Sequence, residues 1–223
     1  MRLQGDESFE WLPLRGSGLD ARGARTGVLR WDKRVYERRV KVRILVCLLL
    51  LGACAKRAPL PVLGTVPTFE LTSQAGSAWS SKTLDGKVWV ANFVFTRCPT
   101  ICPTFTAKMA SIQKKTSDEV RLVSFTVDPE FDTAAKLAEY ATKFQATPRW
   151  TFLTGERAAI EAVVVKGMMQ TMVKGDGSLM SIGHGSYFVL IDGKHQIRGF
   201  YRFNDDDSVE QVVRDAAALG AGG

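Results

Sequence analysis

The chain has 223 residues, 45% hydrophobic and 24% charged, a balance that fits a globular protein with a sizeable core and excludes a wholly disordered one. Its formal charge of +7 is unevenly placed: residues 1–53 hold 11 Lys/Arg against 6 Asp/Glu, and residues 54–223 hold 19 against 17. The part able to fold is close to neutral, which removes the support for a nucleic-acid partner.

Residues 1–39 are rich in Arg and Gly without a sustained apolar period and read as disordered or as a mis-assigned extension, with translation starting at Val40. From Val40 a short basic region, an apolar run from Ile44 to Leu51 and small residues follow, so residues 40–53 read as a signal peptide. That run is too short to span a bilayer. Leu51-Gly52-Ala53-Cys54 resembles the lipobox of bacterial lipoproteins, which implies lipidation of Cys54 and anchoring on the extracytoplasmic, periplasmic face of a bacterial membrane. Residues 54–66, with Pro59, Pro61 and Gly64, read as a tether, and residues 67–219 as the domain. Cys47 falls in the leader. Cys98 and Cys102 are then the one cysteine pair of the domain, in a compartment where thiols oxidise.

Within the domain, Phe69–Leu71 and Ala78–Trp79 read as a hairpin, and Asp85-Gly86 as a turn into a buried strand, Val88–Phe95. A helix is predicted from Pro103 to Lys115, with Met109 and Ile112 inward, then a buried strand, Val120–Val127. Thr133–Phe144 has the helical spacing of Leu137, Tyr140, Ala141 and Phe144, which read as its core face, Trp150–Leu153 reads as a strand, and Ala158–Val165 as a valine-rich helix. Tyr187–Ile191 and Gln196–Tyr201 flank a turn in which His195 reads as solvated, and a closing helix runs from Asp206 to Leu219 with Asp207 or Ser208 as cap. Strands alternating with helices predict an α/β fold, a central mixed sheet covered on both faces and preceded by an N-terminal hairpin.

The chemistry concentrates in Phe93-Val94-Phe95-Thr96-Arg97-Cys98-Pro99-Thr100-Ile101-Cys102-Pro103. The cysteines sit where a strand hands over to a helix, and a first helical turn beginning near Cys98 would bring both sulfurs to one side of it. Helix-end potential and backbone N–H groups favour thiolate there and predict lowered cysteine pKa values. Chelation of one ion and disulfide formation are equally open. Two thiolates call for a third donor to hold a transition metal. His184, flanked by Gly183 and Gly185 before a buried strand, is better placed for that than His195. Met168, Met169, Met172 and Met180 cluster ahead of it, more simply as helix and loop filling than as an entry path for a soft metal ion.

The segment Phe95 to Pro103, the segment Val123-Ser124-Phe125-Thr126-Val127-Asp128-Pro129-Glu130-Phe131-Asp132-Thr133, and His184 ahead of Leu190-Ile191-Asp192-Gly193 together resemble the Sco/SenC family of copper chaperones. The resemblance implies a thioredoxin-like fold and one copper ion, Cu(I) or Cu(II), on Cys98, Cys102 and His184, with Asp128 beside the site. It also implies a role in assembling the copper site of cytochrome c oxidase, whose copper-bearing subunit, or another extracytoplasmic cuproprotein, would be the partner. Thr100 and the Gly183-His184-Gly185 triplet depart from many relatives, which have an acidic residue and Asp-His-Ser there. Soft thiolates with one imidazole also suit Cu(I), whereas structural zinc would want a fourth donor. The rival reading is a membrane-tethered thiol-disulfide oxidoreductase in which Cys98 and Cys102 are a redox-active pair that reduces cysteines of a copper acceptor. That reading leaves His184 without a task, and a peroxide-scavenging role fits less well.

Overall fold

The computed structural model describes residues 58–99, 101–173 and 183–221. The extension, the signal peptide, Cys54 and Met180 lie outside them. Among the described residues no helix is long and apolar enough to cross a membrane.

At the centre is β4 (Trp89–Val94), buried at every position because it is covered on both faces. It pairs in parallel with β5 (Arg121–Thr126), which pairs in parallel with β6 (Trp150–Thr154). On its other side β4 meets β9 (Tyr187–Ile191) antiparallel, and β9 turns back into β10 (Gln196–Arg202). The hairpin of β2 (Glu70–Ser73) and β3 (Ala78–Ser80) closes one edge through β2 and β6, and β1 (Gly64–Thr65) closes the other against β10. The eight-stranded order is β1-β10-β9-β4-β5-β6-β2-β3, the mixed sheet that the sequence pattern predicts.

Alternation along the strands divides the apolar residues between two cores. Val90, Leu122, Phe152 and Phe188 face α1 (Ile101–Lys115), α2 (Ala134–Lys143) and α4 (Ser208–Gly220), which contribute Phe105, Met109, Leu137, Val212 and Ala216. Ala91, Phe93, Phe125 and Val189 face the other way, toward Phe69, Leu71 and the segment from Ile160 to Met168. That segment begins as α3 (Arg157–Glu161) and widens into a π-helix, Ala162–Gly167. The widening coincides with Val163-Val164-Val165, whose branched side chains crowd a regular α-helical turn.

Three expectations change. The far end of the presumed tether belongs to the fold: Leu63 N–H donates to the Ile197 carbonyl at 2.8 Å, and Val66 is buried. His195 is held inward, its Nε2 2.8 Å from Asp85 Oδ1, with a side chain only 13% exposed. Asp207 stands at the cap of α4 but its carboxylate makes no cap hydrogen bond, and the Ser208 hydroxyl is buried without a partner.

Candidate metal centre

The site forms where β4 ends. Cys98 precedes Pro99, and a residue before proline is steered away from helical backbone, so the helix starts at Ile101 and not at Cys98 as the spacing argument supposed. Pro103 falls in the first turn, where its missing N–H has no intrahelical acceptor to lose. Cys98 N–H donates to the Phe95 carbonyl at 3.2 Å, which curls the loop back over the strand end. The Cys102 N–H then donates to Cys98 Sγ at 3.4 Å, so the first sulfur receives an amide of the helix N-terminus. Both residues carry thiols, Cys98 half-buried and Cys102 fully buried. Burial pushes the Cys102 thiol well above its ordinary range, against the pull of a Phe95 backbone hydrogen bond. The lowered pKa expected of both cysteines therefore fails for Cys102: desolvation outweighs the helix end.

Beneath the loop lies a carboxylate to which the sequence reading gave no task. Asp132 is fully buried and accepts from Thr96 N–H at 3.1 and 3.2 Å, from Thr96 Oγ1 at 2.5 Å and from Thr126 Oγ1 at 2.6 Å. It ties the residue two places before Cys98 to the end of β5. Burial raises its pKa, while the Thr126 and Thr96 donors hold it down. A signal existed: two threonines at the ends of neighbouring parallel strands followed by an acid four residues after Asp128, a set that a sheet brings together.

Asp128, expected beside the site, is buried and paired with Arg97, Nε to Oδ2 at 2.7 Å. The Arg97 guanidinium lies 4.5 Å from the centre of the Phe131 ring, and Lys136 Nζ lies 3.2 Å from it. On the inner side the Tyr140 hydroxyl bonds Thr106 Oγ1 at 2.9 Å; burial raises its pKa, and the charges of Cys102 and Cys98 add to the rise. Tyr140 was read from the sequence as a core residue and has this second neighbourhood as well.

The histidine reaches this end of the sheet by register. Trp89 pairs with Ile191 and Ala91 with Val189, so the start of β9 lies toward the C-terminal end of β4, where the cysteine loop begins. Three residues before β9, the backbone of His184 sits in a two-stranded ribbon of β7 (Met172–Val173) and β8 (Gly183–His184), with Met172 opposite His184. The loop predicted around His184 is thus a short strand. Among the described residues no three His, Cys, Asp or Glu side chains converge into a ready metal cage. Met168 is buried in the core and Met172 packs against it, while Met169 is 55% exposed.

The SCO1/SenC family model matches residues 61–219. The chain belongs to the SCO1/SenC family. A SCO1/SenC family lipoprotein from Bacillus anthracis is 34% identical, with a TM-score of 0.67 over 74% of this chain and 99% of that one. BsSco, described as a member of the Sco family of cytochrome c oxidase assembly proteins in which a disulfide switch was identified, is 30% identical, with a TM-score of 0.68 over 75% and 100%. Arabidopsis thaliana ScoI, solved with copper bound, is 27% identical, with a TM-score of 0.61 over 69% and 99%. With these family members the chain shares the thioredoxin-like fold, and its cysteine loop occupies the strand-to-helix turn of that fold.

Proposed function

We propose that this SCO1/SenC protein is a copper metallochaperone that holds one copper ion on Cys98, Cys102 and His184 and delivers it during assembly of the copper site of a cytochrome c oxidase. The observation that carries the reading is the convergence at one sheet end of two thiols and, through the β4–β9 register, of the strand bearing the histidine. Two thiolates and an imidazole form a soft set suited to copper. A copper-bound relative and a relative described as an oxidase assembly protein support the metal and the destination. A lipid on Cys54, paralleled by the lipoprotein relative, would keep the domain at the membrane face of its acceptor.

The unequal exposure of the sulfurs gives transfer an order. An incoming donor from the acceptor reaches copper beside half-buried Cys98, whose bond to the metal breaks as the new one forms. Buried Cys102 lets go last. The same asymmetry would serve a thiol-disulfide oxidoreductase, with Cys98 attacking a target disulfide, the target thiolate leaving, and Cys102 displacing the second sulfur. Burial raises the Cys102 pKa in the reduced chain and so disfavours its thiolate in either role; a bound metal offsets this by taking the place of the proton.

The test is an anaerobic Cu(I) titration of the reduced full chain against a competing chelator, with His184→Ala and Cys98→Ser/Cys102→Ser alongside. One copper per chain, abolished in the double serine variant and weakened by orders of magnitude in His184→Ala, is expected. Wild-type affinity in His184→Ala, with rapid turnover of a protein disulfide by the thiols, would make the oxidoreductase reading the right one.

A further inference from the structure

The departure at Gly185 has a cause inside this chain. Gly185 is buried, and it is not among the glycines with left-handed backbone, so its dihedral angles do not demand glycine. Space does. A Cβ at position 185 would come within 2.8 Å of Gln170 Cβ and 3.0 Å of its Cδ, with Oε1 nearer still. Real side chains do not approach so closely, so the absent Cβ is the room in which Gln170 lies.

Gln170 is delivered there by irregular backbone. Met168 N–H bonds the Val163 carbonyl at 2.9 Å, a π-helical span, and Gln170 N–H bonds the Val164 carbonyl at 3.0 Å. Between them Met169 takes a left-handed conformation, φ 55°, uncommon for a long side chain. Gln170 is 5% exposed, and its Nε2 donates to the Met168 carbonyl at 3.1 Å and the Met169 carbonyl at 3.4 Å. A helix-end cap would account for those two bonds but not for the glycine-shaped recess across from them. Two residues later Met172 pairs with His184. Gln170 and Met172 therefore grip consecutive residues, Gly185 by packing and His184 through the ladder.

We infer that Gln170 is a positioning residue for the metal-binding histidine: its fit against Gly185 sets the backbone that carries His184 toward the cysteine loop. This rests on the proposed metal reading. It assigns to Gln170 and Gly185 one matched pair, in which neither is replaceable alone.

The experiment measures Cu(I) affinity of the full chain by chelator competition, the nitrogen couplings of the Cu(II)-loaded form by electron paramagnetic resonance, and apo thermal stability. The variants are Gly185→Ala, Gln170→Ala, Gly185→Ala/Gln170→Gly, and each single change in a His184→Ala background. Gly185→Ala is expected to weaken copper by about tenfold or more and to alter the imidazole nitrogen couplings, the size typical when the support of a metal ligand is lost. Gln170→Ala, which inserts nothing, should give a smaller loss of the same kind even if Gly185→Ala proves poorly folded. The double change restores room and should recover affinity from the Gly185→Ala level to about that of Gln170→Ala. In the His184→Ala background the further losses should shrink to within about twofold. Equal losses with and without His184, unchanged nitrogen couplings, or no recovery in the double variant would overturn the inference while leaving His184 as a ligand. Unchanged affinity in His184→Ala by itself would overturn the metal reading, and the inference with it.

Discussion

The cysteine loop and the histidine ribbon reach the same end of the sheet but are held in different ways. The loop is nailed down by a buried carboxylate that accepts from three donors, the Thr96 amide and the Thr96 and Thr126 hydroxyls, and by the Arg97–Asp128 ion pair, all built on the ends of central strands. The ribbon is a two-residue ladder steadied by Gln170 against Gly185. Charge and side-chain hydrogen bonds define the first half; a short backbone ladder and a close fit of Gln170 against a glycine define the second. Polar networks in a dry interior are costly to break because every orphaned partner loses its hydration as well as its bond. A packing contact loses less, and its loss moves a backbone without emptying a network.

The largest effect that would break this comparison comes from Asp132→Ala. It strands the Thr126 hydroxyl in the interior and removes the acceptor of the half-buried Thr96 amide and hydroxyl, so stability in urea should fall by about 2 to 3 kcal/mol. Alkylation of Cys98 and Cys102 should become faster as the loop frees itself. Unchanged stability and thiol reactivity would show that the loop is held by the β4 strand end alone. Arg97→Met should do less. It leaves the Asp128 carboxylate buried without its cation, but Arg97 is itself about one-third exposed and water screens the pair, so a cost of about 1 kcal/mol is expected. A loss as large as that of Asp132→Ala would mean that the ion pair, and not the Asp132 network, is what fixes the loop.

What was legible in the sequence follows the same division. The β4 and α1 patterns were strong because an unbroken apolar run and a helical period near four are local signals, and they placed Cys98 and Cys102 at the junction of strand and helix. Asp128 pairs with Arg97 of that junction across 31 residues of sequence, a contact that no local pattern announces. Asp132 escaped notice because its partners are 6 and 36 residues distant and meet it only once two parallel strands align. Gln170 was invisible for a further reason: its value lies in the emptiness at Gly185, and a missing side chain carries no chemical signature. Tyr140 shows a third kind of limit, since helical spacing marked it as apolar filling while its hydroxyl bonds Thr106, one helical turn beyond Cys102. The reading of His195 as a solvated turn residue failed because nothing local announced Asp85, 110 residues away.

The smallest effect sharpens the comparison from outside the site. Asp192 stands at the other end of β9 from His184, where the hairpin to β10 turns; its carboxylate accepts from Lys194 and Gln196 amides at 2.9 Å and from Arg198 Nη1 at 2.7 Å. Burial alone would raise its pKa, but the Gln196 amide, Arg198 and the Lys194 amide together hold it below the usual carboxylate range. A lowered folded pKa gives stability that is complete above the unfolded value of about 4 and is lost as pH falls through the folded value. Arg198→Met should therefore cost about 1 kcal/mol near neutrality, with part of that cost vanishing at the most acidic pH at which the chain stays folded. Arg198 also donates to the Leu60 and Pro61 carbonyls, which do not titrate, so the residue of the cost that persists in acid measures how firmly residues 60 and 61 are held against β10. Copper affinity should be the same in this variant as in the wild type, because the hairpin lies at the far end of the sheet from both halves of the centre. A drop in affinity would show that β9 transmits strain along its length to the histidine ribbon, and the two halves would then share one frame.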